Sequence, residues 1–321
     1  MPKSTNLSFV GIGKETTPGT GVTATAFIPV TGPNGKDAVT MLPDKGLRGA
    51  MVDVYDEIAG PISGTYDFGG DVFPDTIGWP LAGILGDVAT VGASAPYTHT
   101  MAALNSGDGQ PKSYTVSDFY SAAARQYPGA KFSEFSLKYS GDSMLTYTAK
   151  AVTFGSVTTT KPTAAFTTIP PMAGWTGAVK LAGTPLTTVL DGELNIKRAT
   201  TVINPVDGTQ SPSIIWSGPV TCDGKFTAIM EDDTYLSAYL ANTSTTLEVN
   251  YQIGAGAAAV QVDFKMSKVK YTLAEIDRSK DYVTVSVTWE GLANATDVGV
   301  SSGYSPLKVT LQNAVTSGVY A

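Results

Sequence analysis

The chain has 321 residues, enough for two ordinary domains that each bury a core. Its 34 glycines, 19 prolines and only 15% charged residues favour many short strands with frequent turns over helical bundles. A net charge of −7 argues against ordinary phosphate-contacting nucleic-acid binding, which needs clustered Lys and Arg.

Residues 1–40 read as an N-terminal arm. Phe9-Val10 and Phe27-Ile28 sit among Gly, Thr and Pro, enough for two short strands but not for a packed unit. Such an arm either completes a neighbour's sheet or stays a partly ordered terminus. The opening MPKSTNLSFVGIGKE has no apolar core of the kind a signal peptide needs, so export by that route is not expected.

A first β unit is expected over residues 41–157. It holds strand material at Leu47–Tyr55, an acidic loop at Asp56-Glu57 and a second strand around Ile62–Phe68. Phe73–Leu85 reads as a short helix: Pro74 suits its first turn, Asp75 its positive end, and Ile77, Leu81, Ile84 and Leu85 form an apolar stripe. Gly86 is its candidate C-cap. Gly78, Pro80 and Gly83 count against the helix, because interior Gly and Pro cost about 1 and 3 kcal/mol. Residues 87–115 read as a loop-rich insertion, followed by a strand at Ser113–Tyr120. Lys131–Val152 then carries the clearest signal in the chain. Phe135, Leu137 and Tyr139 alternate with polar residues, Ser140–Ser143 supplies turn chemistry, and Leu145, Tyr147 and Ala149 alternate again.

Thr158–Pro171 is Thr- and Pro-rich without helical periodicity and reads as the linker, 158–171. The second unit, 172–321, repeats the first in outline. Strands are expected at Thr188–Arg198 and Ile214–Val220, around a Pro/Gly loop at Asn204–Ser213. A helix follows at Glu231–Ala241, with an acidic first turn and apolar Tyr235, Leu236, Tyr239 and Leu240 on one side. A strand at Thr245–Ile253, a Gly/Ala loop and a second hairpin ending in Tyr282–Trp289 come next, with a last strand at Leu307–Leu311. The order strand, strand, helix, strand, hairpin thus occurs twice.

Chemistry is sparse. His99 and Cys222 are single, lie in different halves, and cannot alone make a zinc site or a convincing nucleophile pair. Both read as structural. Cys222 as the one cysteine excludes an intramolecular disulfide and fits a reducing compartment. Carboxylates cluster at Asp53, Asp56 and Glu57 and at Glu231, Asp232 and Asp233, but neither cluster has the spacing of a known calcium loop or the facing pair of a glycosidase. Trp79, Trp175, Trp216 and Trp289 are scattered and read as core. GIGKET has neither P-loop nor dinucleotide-fingerprint spacing, and GPNGKD reads as a turn. No run of about 18 apolar residues could span a membrane. No enzyme, cofactor or metal is expected.

The opening GKETTPGTGVTATAFIPV, LPDKGLRG, SGTYDF, FPDTIGWPLAGILG and the KFSEFSLKYSGDSMLTYTAKAV hairpin, in this order, resemble major tail tube proteins of long-tailed, non-contractile bacteriophages. The resemblance is strongest over residues 7–155. It implies a mainly β fold of two tandem β-sandwich modules, each with a flanking short helix and a long hairpin. It further implies a virion protein, assembled in the host cytoplasm, whose rings stack into a tube for DNA ejection. Two modules per chain imply three chains per pseudo-sixfold ring; one module with a decoration domain implies six. A tape-measure protein inside and terminator and baseplate proteins at the ends are implied partners, and DNA passes without specific binding. The hairpins are expected to line the lumen, where Lys138, Lys150, Lys265, Lys268 and Lys270 would mix with acidic residues, while residues 1–40 and 87–115 join rings. The competing reading is a secreted or virion-surface adhesive or carbohydrate-binding β-sandwich, monomeric and with exposed aromatic loops.

Overall fold

The computed structural model describes residues 3–256 and 259–320. Met1 and Pro2 of the expected arm, Ala257 and Ala258 of the Gly/Ala loop, and Ala321 lie outside the described residues. The fold is mainly β, and every strand pairing is antiparallel. The first half supplies β1 (Phe9–Lys14), β2 (Ala26–Ile28), β3 (Thr31–Asp44), β4 (Asp56–Asp71), helix α1 (Gly78–Leu85), β5 (Gly86–Val91), β6 (Tyr97–Ala103), β7 (Tyr114–Phe119), β8 (Ala124–Ser140), β9 (Thr146–Phe154) and β10 (Val157–Thr159). The second supplies β11 (Gly177–Leu181), β12 (Thr184–Pro185), β13 (Val189–Ile203), β14 (Ile214–Ile229), helix α2 (Thr234–Leu240), β15 (Ser244–Ile253), β16 (Val260–Asp277), β17 (Thr284–Gly291) and β18 (Lys308–Asn313).

Eight of these strands form one continuous run in the order β3-β4-β9-β8-β13-β14-β17-β16. At its centre β13 lies along β8, with Asp191 to Lys197 opposite Ser140 to Glu134. The N-terminal parts of β8 and β16 leave this run and join flanking strands, in the orders β10-β8-β7-β1-β2 and β18-β16-β15-β11-β12. Each of these pairings in one half therefore has a counterpart in the other. The β5–β6 hairpin has no counterpart among the described residues; it docks on β18 through β6. The apolar face of the run and the flanking strands enclose one core, where the Phe135 and Phe264 rings stack at 6.2 Å and Phe226 meets Tyr271 edge-on.

The long hairpin is as its alternation predicts: Phe135, Leu137, Tyr139, Tyr147 and Ala149 are buried, and their neighbours in sequence are polar and more open. Elsewhere tertiary context overrides local signals. GPNGKD lies inside β3, where a register shift between Thr31 and Asn34 absorbs the Gly-Pro pair. Leu47–Tyr55 is the loop at the tip of the β3–β4 hairpin rather than a strand. The N-terminal segment is packed into its own chain: β1 lies between β2 and β7, and Phe166 of the segment after β10 sits on Phe9 and Phe27 with centroids 6.1 Å away. Residues 87–115 hold most of β5, all of β6 and the start of β7, with loops at 92–96 and 104–113, so the loop-rich segment carries a hairpin as well. The α2 stripe is only partly used, because Tyr235 is buried whereas Leu240 is exposed.

Helix α1 is buried on every side, which explains its composition. A Cβ on Gly83 would lie 2.3 Å from the buried Phe132 ring, and one on Gly78 would lie 2.4 Å from Tyr320. Gly86 ends the helix at φ 88°. Arg198, from β13, donates to the Ile84 carbonyl at 3.0 Å, placing a cation at the negative end of the helix and tying the halves together. Gly83→Ala is expected to lower the melting temperature, because overpacking costs about 1–3 kcal/mol and the gain in helix propensity is only about 1. Calorimetry of the two proteins reads the difference.

Candidate functional site

The side chains that alternate with the core residues make a second, open face on the eight-stranded run. Glu134, Ser136 and Lys138 of β8 stand beside Glu193, Asn195 and Lys197 of β13. Across this seam Lys138 is opposite Glu193, and Glu134 is opposite Lys197. The Lys150 ammonium binds Glu134 at 2.7 Å, Lys197 binds Asp223 at 2.7 Å, and Lys225 lies 3.7 Å from Glu193. Ser136 donates to the Asn195 side-chain oxygen at 2.5 Å, and the Asn195 amide donates to Asp223 at 3.1 Å. The hydrogen bond from Lys150 to Glu134 holds that ammonium above its ordinary pKa, and Asp223 does the same for Lys197. A shallow groove of about 470 Å³ lined by Asp67, Ser136, Lys138, Thr148 and Lys150 runs along this face. The result is a polar wall with interspersed charge, in which three of the lysines are matched by a nearby carboxylate.

The run ends on two edges. Beyond β3, and beside residues 271–277 of β16, no strand pairs among the described residues. Such edges present unpaired backbone donors and acceptors to any strand that approaches. The β3–β4 hairpin also projects an apolar tip: Leu47 and Met51 are fully exposed, and Met41, Leu42, Val52 and Ile58 are more than half exposed. Sequence reasoning missed this patch because Leu47, Met51 and Val52 read as strand material, and Met41, Leu42 and Ile58 carry no local signal.

The residues singled out for chemistry do not converge. His99 is fully buried in β6, bonded to the Thr90 hydroxyl at 2.9 Å and the Asn313 side chain at 3.1 Å, and burial lowers its pKa. Cys222 is buried in β14, and burial pushes its thiol pKa up. Asp53 pairs with Lys45 at 2.9 Å near the hairpin tip, while Asp56 and Glu57 pair across the base of that tip with Asp44 and Pro43. Asp232 accepts from the Thr234 backbone and is held below its usual range by Thr234, and Asp233 precedes α2. Among the described residues no group of three His, Cys, Asp or Glu is placed to hold a metal. Trp79 and Trp289 are core, but Trp175 and Trp216 are exposed, contrary to expectation: Trp216 points outward from β14 between buried Ile215 and Ser217, and Trp175 stands out from a single helical turn of which only Gly174 is buried. Of the hairpin lysines, Lys138 and Lys150 reach the open face, and Lys270 lies opposite Glu290 at its far end. Lys265 instead lies on the β15–β18 side, opposite Glu248 and Lys308.

A family model described as phage tail tube protein matches residues 5–291, from before β1 to the end of β17. The chain belongs to the phage tail tube protein family. No curated protein matches it. Membership makes the chain a structural component of the virion tail that self-assembles into a tube. No helix among the described residues is long and apolar enough to cross a membrane.

One carboxylate outside the open face has a pH signature. Asp263 of β16 is driven up to about 6, first by burial and then by the charge of Glu248, against a 3.2 Å hydrogen bond from Asn250. A raised folded-state pKa means that the folded chain holds this proton more tightly, so its stability contribution is present near pH 4 and is lost as pH rises through about 6. Asp263→Asn is therefore expected to raise the melting temperature above about pH 7 and to change it little near pH 4. Thermal scans of both proteins across that range check the sign.

Proposed function

We propose that the chain is a double tube subunit, two tube modules joined through residues 158–171, with three chains in each pseudo-sixfold ring and stacked rings forming the tube. The observation that carries this reading is the recurrence of strand pairings between the halves, including four strands from each half in one run. Recurrence also brings β1, β2 and β3 into the first module, as counterparts of β11, β12 and β13, in place of a separate arm at 1–40.

Width favours three chains over six. Strands spaced about 4.8 Å apart put about 24 strands on a circle about 37 Å across before tilt, and about 48 strands on one about 73 Å across. The narrower circle accommodates a DNA duplex with little space to spare. The open face lines this lumen in our reading, and DNA slides past it without specific binding. Lys150, Lys197 and Lys225 are each close to a carboxylate, which weakens their pull on phosphate, and the net charge of −7 opposes adhesion. The apolar tip of the β3–β4 hairpin is the surface best suited to contact the next ring, a role expected earlier for residues 1–40 and 87–115. Assembly in the host cytoplasm, a tape-measure protein within the lumen, and terminator and baseplate proteins at the tube ends complete the proposal. The chain performs no catalysis in it.

Purified protein is expected to form rings and tubes in negative-stain micrographs, whereas dispersed monomers at all concentrations would contradict the proposal. The triple variant Glu134→Gln, Glu193→Gln, Asp223→Asn leaves three lysines unmatched. It is expected to retain duplex DNA at low salt and to release it as salt rises, with a loss of stability of no more than about 1 kcal/mol for each exposed pair. Filter binding at several salt concentrations measures the retention.

A further inference from the structure

We infer that neighbouring chains join by repeating the internal β8–β13 seam: β3 of one chain pairs antiparallel with residues 273–277 of β16 in the next, with Lys36 opposite Glu275. This rests on the tube reading and adds the register of the contact. It follows from matching the two halves by their own hydrogen-bonded pairs. Asp71 faces Thr146 on β9 as Ile229 faces Thr284 on β17, so Thr65 corresponds to Asp223. Lys36 faces Thr65 as Asn195 faces Asp223, so Lys36 takes the place of Asn195. Lys138 faces Thr146 as Asp277 faces Thr284, so Glu275 takes the place of Ser136. Ser136 and Asn195 are direct partners across the internal seam. The same operation sets Gly35 against Ile276, Asp37 against Ala274 and Ala38 against Leu273.

Three observations fit this register. Both edges are free of strand partners among the described residues, at the two ends of one run. Lys36 and Glu275 take the places of Asn195 and Ser136, which hydrogen-bond across the internal seam, and they bring opposite charges face to face on the same open face. Ile276 occupies the place of Leu137, which is fully buried opposite Leu194, yet Ile276 is 36% exposed in the single chain. A neighbour's β3 would cover it. The contact uses two different edges of one chain, so it is head-to-tail and closes into a ring when its rotation is a simple fraction of a turn.

The test uses full-length protein, in which the native Cys222 is buried. Lys36→Cys with Glu275→Cys, oxidised in assembled tubes, is expected to give covalent ladders that end at three chains. The offset pair Lys36→Cys with Asp281→Cys is expected to give none, because directly opposite Cβ atoms lie about 5 Å apart and offset ones do not. Wild-type tubes combined with equal cross-linking of both pairs, or with none from the matched pair, would overturn the register alone. Wild-type protein that never polymerises would overturn the tube reading beneath it. If the cysteine chains fold but do not assemble, charge reversal decides. Lys36→Glu and Glu275→Lys should each lower tube yield about tenfold and together restore it to within about twofold. Failure of the double reversal to restore tubes would overturn the pairing.

Discussion

A strand edge cannot be left in water without consequence. Its backbone donors and acceptors are half satisfied, and any compatible strand that arrives will complete them. This chain carries that constraint at the two ends of an eight-stranded run, on β3 and on the final residues of β16. Inside the run the same problem is already solved once. The edge of β8 is closed by β13 of the same chain, with core residues Leu137 and Leu194 facing each other on one side and charged residues alternating on the other. In the proposed ring the same problem is solved again between chains, while the structural tail role itself rests on family membership.

The two faces of the run divide the remaining work. One is closed by aromatic and aliphatic side chains against the flanking strands and α1, and supplies stability. The other carries Lys150, Lys197 and Lys225 close to Glu134, Asp223 and Glu193. Exposed ion pairs of this kind contribute little to folding, about 0–1 kcal/mol each. On the lumen wall, where the proposed assembly puts them, they would keep the surface polar while offering few unmatched cations to a passing polyphosphate.

Legibility tracked locality. The Lys131–Val152 hairpin was readable because alternation and turn chemistry lie within one short window, and the hairpin ending in Tyr282–Trp289 was visible for the same reason. The strand character of β3 was hidden by GPNGKD, whose Gly and Pro signal a turn until β4 fixes them in a bulged ladder. Leu47–Tyr55 misled in the other direction: its apolar residues resemble strand material but project into solvent. The surroundings of His99 were invisible, since its partner Asn313 lies 214 residues away. Of the expected Phe73–Leu85 helix only Gly78–Leu85 is helical, with Pro74 and Asp75 in the turn before it; the reason for its glycines, the Phe132 and Tyr320 rings pressed against Gly83 and Gly78, is a tertiary fact. Element order was legible as a repeat; the seam between β8 and β13, on which the candidate assembly surface depends, was not, because strand neighbours across a linker leave no local trace.

The most direct test of the account is a cryo-electron microscopy reconstruction of the assembled tube at a resolution that separates strands. The account predicts a lumen walled by one closed sheet, with three chains per ring and each chain occupying a third of the wall. Six chains per ring, or a wall in which the outer strands of adjacent chains stand apart without hydrogen bonds, would contradict it.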